Sequence, residues 1–173
     1  MKIRGAAGST IGLVIEFDPT KYGPRIAELL GDGQRLMPLV SPRSGDPAVA
    51  EILRTEGVSI LPPTALAGLW IYCGYFEKPH TLAQDIHSPD GSYWHGILHR
   101  MEPDAWNAGY WFRRVGTHPV FPKVRAAAKS LGYDWEPERF IADCDKAPAD
   151  DLLLRKVQLA EWQILFDYCA RAK

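Results

Sequence analysis

Pro103 interrupts a stretch that is helical in pattern on both sides, YWHGILHRMEPDAWNAGYWFRRVGTHP, and a chain built around such a break has few folds open to it. Proline has no amide proton to donate and turns the residue before it away from helical angles, yet it suits the first turn of a new helix. Before the break, Trp94, Ile97, Leu98 and Met101 make an apolar stripe; after it, Ala108, Trp111, Phe112 and Val115 make another, ended by Gly116 and Pro119. Two amphipathic helices joined this closely must lie against each other or cross sharply.

The remaining chain reads the same way. Pro24 suits a helix N-terminus ahead of Ile26, Leu29 and Leu30, with Gly31 and Gly33 as stops. Prolines 38, 42 and 47 make MPLVSPRSGDPAV a loop, from which Asp46 caps a helix beginning at Pro47 and ending at Gly57. ALAGLWIYCGYF is apolar on every side and too short to cross a membrane, so it is expected as a central buried helix whose small residues admit close neighbours. EKPHTLAQDI continues as a short helix that aligns His80, Gln84 and His87, followed by a turn through Ser88, Pro89, Asp90 and Gly91. Further helices are expected over Pro122–Leu131, over Pro137–Cys144 and from about Asp150 to Arg171, the last being the longest. The run Ile11–Phe17 is compatible with strand or helix. The expectation is an all-α fold: one compact domain over residues 1–173, about seven or eight helices, a buried central helix and a long C-terminal one.

Composition removes several classes of function. A net charge of -1 gives no general attraction to nucleic acid or anionic lipid. Cys73, Cys144 and Cys169 are odd in number and widely spaced, which argues against a disulfide framework and fits a reducing, cytoplasmic setting. The N-terminal apolar run is broken at Gly12 and ends at Glu16, short of a secretory core. Asp143, Asp145 and Asp150 lack the order of a calcium loop and read as solvated turn residues. No G-x-S-x-G and no glycine-rich phosphate loop is present.

Candidate chemistry gathers at the helix pair. His95, His99 and Glu102 recur at spacing four and three and fall on one line beside the apolar stripe. On the second helix Asn107 and Arg114 follow one margin, while Arg100 and Arg113 read as solvated. In the last helix Glu161 projects from the apolar face formed by Leu154, Val157, Ile164, Leu165 and Tyr168, with Gln158 beside it; Lys156, Gln163 and Asp167 share the solvated side. A carboxylate on such a face needs a partner, and Arg114, Arg100, His95, His99 or a shared cation are available.

These residues set three expectations. In the first, His95, His99, Asn107, Arg114, Gln158 and Glu161 line a pocket for a small polar or anionic ligand, the guanidinium fork matching a carboxylate or phosphate. In the second, His95, His99 and Glu161 hold zinc or iron as a two-histidine, one-carboxylate set, with Glu102 and His118 as reserve ligands, in a metal-dependent hydrolase or oxygenase. The glutamate that follows the first histidine of metalloproteases is missing. In the third, the same groups form a closed network inside a non-catalytic interaction domain.

Ala108, Phe112, Val115 and Pro119 have spacings that resemble the second half of a tetratricopeptide-like unit. The resemblance is confined to residues 93–119, the first helix departs from the repeat's pattern, and no second copy follows. It implies helix-pair geometry alone.

Overall fold

The computed structural model describes residues 15–54, 58 and 60–171; most of the run Ile11–Phe17, and Gly57, lie outside them. Among the described residues there is no strand: a 3-10 turn, Pro19–Tyr22, precedes nine α-helices that share one apolar core. Proline begins several of them, as its fixed φ and missing amide favour. These are α1 (Pro24–Leu30), α2 (Pro47–Leu53), α3 (Pro63–Tyr72), α5 (Pro89–Met101) and α8 (Pro137–Lys146). The others are α4 (Glu77–Asp85), α6 (Ala105–Val115), α7 (Phe121–Ser130) and α9 (Leu152–Arg171).

Local capping follows the side chains. Asp46 accepts from the Ala48 amide at the start of α2, and Asp104 from Asn107 at the start of α6. Helix α2 stops at Leu53, short of the expected Gly57. Ser88 accepts from the Gly91 amide, so residues expected as a turn become the first turn of α5. At Gly91 a Cβ would lie 2.3 Å from the Ile86 carbonyl oxygen, so only glycine lets the chain enter the helix this tightly.

Helix α3 is buried from Ala67 to Tyr72 and packs against α4, α5 and α9. Gly68 brings it against α5: a Cβ there would stand 2.6 Å from Trp94 Cζ2. The two helices flanking Pro103 pack together more extensively than any other pair among the described residues, and Gly96 admits the Phe112 ring between them.

Helix α9 runs 20 residues and is buried on all sides from Val157 to Phe166. The extended segment 33–41 covers the side expected to face solvent. Its backbone cannot join a ladder, so side chains of α9 satisfy it: Arg155 donates to the carbonyls of Leu36 and Met37, Gln158 to Pro38 and Gln163 to Gly33. Gln163, expected on the solvated side, is therefore buried. No helix among the described residues is long and apolar enough to cross a membrane.

Candidate functional site

Helix α5 is buried on every side from Gly91 to Met101, so each polar residue it carries must find a partner inside the protein. At roughly 100° per residue, Tyr93 and Arg100 share one line, and His95 and His99 lie rotated from it by roughly 100 to 160°. The helix thus serves two polar sites on different sides.

The first contains three imidazoles. Helix α4 packs against α5 and brings His80 to His95, with their Nε2 atoms 3.0 Å apart. His99 stands one turn further along, its ring parallel to that of His95 at 5.0 Å between centroids and 5.5 Å from that of His80. One nitrogen from each ring lies within 4.8 Å of the other two. Trp111 of α6 stacks on His95 at 3.9 Å and 12°, and Phe76 stacks on His80. His95 and His99 are buried, while His80 is partly open to solvent.

The electrostatics keep two of these rings neutral. Burial, with His80 and His99 alongside, lowers the His95 pKa to about 3. Burial and His80 also lower that of His99, against the pull of Glu102 and Asp104. Neutral imidazoles retain a lone pair, the form that binds a metal. Zinc with nitrogen ligands at about 2.0–2.1 Å in a tetrahedron separates them by about 3.3 Å, so the 3.0 Å pair is already near ligand spacing. His99 Nδ1 lies 3.3 Å from Glu102 Oε2 and 3.8 Å from Asp104 Oδ2, and these three residues form a second group close enough to share an ion. His95 Nδ1 is buried without a hydrogen-bond partner.

The second site is an ion pair. Arg100 donates from Nη2 to Glu161 Oε2 at 2.5 Å and from Nη1 to Oε1 at 3.2 Å, and the Tyr93 hydroxyl donates to Oε1 at 3.1 Å. Both charged side chains are enclosed, and the guanidinium lies 4.4 Å from the Phe140 ring centre on α8. Burial and the adjacent Glu161 carboxylate push the Tyr93 hydroxyl far above its ordinary value. Burial alone would ease the proton off Arg100, but Glu161 more than offsets it.

The structure therefore does not bring Glu161 to His95 and His99. Its partner on α5 is Arg100, one of the partners expected for it although also read as solvated, because α8 and α9 close over that side of the helix. Gln158 faces Pro38 instead of the imidazoles. Asn107 donates to Asp104 Oδ2 at 2.5 Å as part of the α6 cap. Arg114 is exposed, with its guanidinium carbon 5.8 and 5.3 Å from the Tyr110 and Trp111 ring centres. Glu102, a reserve ligand, also pairs with Arg43.

His118, the other reserve ligand, is buried in a separate pairing. Its Nδ1 accepts from the Val120 amide and its Nε2 lies 2.8 Å from Asp90 Oδ1. Both ring nitrogens are used, so His118 has none to offer a metal. The member of the cluster missed from sequence is His80. It was visible as the head of the His80, Gln84, His87 line, but nothing local says that this line faces His95.

Comparison with known proteins adds no identity: no family model, no curated protein and no solved structure matches the chain.

Proposed function

We propose that this protein binds a divalent transition metal, zinc first among them, through His80, His95 and His99, and presents it to a small polar ligand. The observation that carries the reading is the convergence of one nitrogen from each of three rings within 4.8 Å, on two helices packed for the purpose. Imidazole suits zinc, copper, nickel and iron; the non-haem iron triad also wants a carboxylate. Glu161 is committed to Arg100, and the group of His80, His95 and His99 contains no carboxylate, so this set is all nitrogen and favours zinc. Three protein nitrogens on zinc leave a further position for water or a ligand.

Glu102 supports the reading as an outer partner, since carboxylates beside metal-bound imidazoles fix ring orientation and raise basicity. Three free thiols, two of them buried, fit a cytoplasmic setting for such a site.

Titration of untagged, metal-free protein with zinc against a chromophoric chelator tests the proposal. One zinc per chain is expected, with His80→Gln and His95→Ala each weakening it by about 100-fold or more. Occupancy under about a tenth of an equivalent, on the scale of a structural site's affinity, would sink it.

A further inference from the structure

Three helices leave the imidazole cluster in the same direction. Gln84 stands one turn beyond His80 on α4, Ser92 one turn before His95 on α5, and Arg114 one turn beyond Trp111 on α6. These residues meet again in a layer next to the imidazoles. There they line an open cleft of about 720 Å³, together with Tyr110, Trp111 and Asp85. Trp111 belongs to both layers: it stacks on His95 and also walls the cleft.

The cleft's charge selects a ligand class. Arg114 is its one permanent cation, and no carboxylate lies within ion-pair distance of it among the described residues; its nearest polar contact is the Tyr110 hydroxyl at 3.4 Å. The guanidinium fork is thus open to an acceptor with two oxygens in a plane. Asp85 is the cleft's one carboxylate and His87 its only other basic group, so the lining carries no net positive charge to hold a dianion, and a single carboxylate on the Arg114 fork is the anion it suits. The Tyr110 and Trp111 rings offer an apolar wall to the body of the same molecule.

We infer that this cleft, set beside the imidazole cluster with Trp111 between them, takes a small monocarboxylate with an apolar body, its carboxylate on Arg114 and its body against Tyr110 and Trp111. The inference rests on the cleft alone and stands or falls apart from the metal reading.

Calorimetric titration with sodium benzoate, benzyl alcohol and sodium phosphate tests it, on metal-free and zinc-treated protein. Benzoate is expected to bind about tenfold or more tightly than either other probe, a preference of about 1.4 kcal/mol. Arg114→Gln, at an exposed position that leaves folding intact, is expected to abolish that preference. Equal binding of benzoate and benzyl alcohol, tighter binding of phosphate, or benzoate binding untouched by Arg114→Gln would overturn the assignment. Benzoate preference in a protein that takes up no zinc would support the cleft and refute the metal centre; zinc uptake without benzoate binding would refute the cleft alone.

Discussion

Arg100 holds Glu161 with two guanidinium nitrogens in a space closed to solvent, although its chain neighbour His99 belongs to a different site. Removing one partner of such a pair strands the other charge, a loss of about 3–5 kcal/mol. Glu161→Ala is expected to lower stability by that amount in urea denaturation and to leave zinc affinity unchanged. The double variant Arg100→Met with Glu161→Leu is expected to recover most of the loss. A Glu161→Ala protein that folds normally but no longer takes zinc would join the two sites that the structure separates.

The imidazoles give stability a definite dependence on pH. His95 titrates near 3 in the folded protein, against 6.5 ordinarily. Between those values the unfolded chain takes up a proton that the folded one refuses, so folding weakens as pH falls below 6.5 and the contribution is complete above it. His99 is shifted in the same direction. Thermal midpoints measured from pH 7 to 4 are expected to fall, and to fall less in His95→Asn. Parallel curves for the two proteins would contradict the assigned shift. Acidic groups such as Asp104, held below their usual range, add a loss of the same sign at lower pH, which the comparison with His95→Asn removes.

Helix packing and site geometry meet at Gly96. A Cβ there would lie 2.7 Å from Phe112 Cδ2, so Gly96→Ala must displace the Phe112 ring of α6. The overpacking is expected to cost about 1–3 kcal/mol. Trp111 rides on α6 and stacks on His95, so zinc affinity should drop with it. A variant destabilised in this way with unchanged zinc affinity would show that the Trp111 stack does not position His95.

Glu102 is expected to act through His99. Glu102→Gln removes the charge 3.3 Å from Nδ1 and should weaken zinc by about tenfold, as outer-shell changes do. Arg43→Ala, which removes the competing partner of Glu102, should leave it equal or stronger. His118→Gln is the control and should not alter zinc affinity at all.

The all-α fold, the paired helices about Pro103 and the long last helix were legible because proline positions and apolar spacing are local properties. Glu161 announced itself too: a carboxylate on an apolar face has to be partnered, and Arg100 was among the partners the sequence offered. Choosing among them was beyond local pattern, since it depends on which side of α5 meets α9. The same limit hid His80, whose line on α4 and that of His95 are each visible but whose facing is set by tertiary packing. Gln163 was assigned to solvent, and Arg100 read both as solvated and as a partner for Glu161, because nothing in their periodicity reveals the 33–41 segment or the cover of α8 and α9.

The crowding of α5 bears on how the chain finds its fold. A rotation by one residue, roughly 100°, would carry Arg100 to the place of His99 and set a permanent cation among neutral rings while Glu161 lost its counterion. Apolar stripes tolerate such a slip; two chemically incompatible polar seats on one helix do not. The helix is keyed like a shaft with a slot on either side, and a misregistered core is rejected by charge before it can settle by packing.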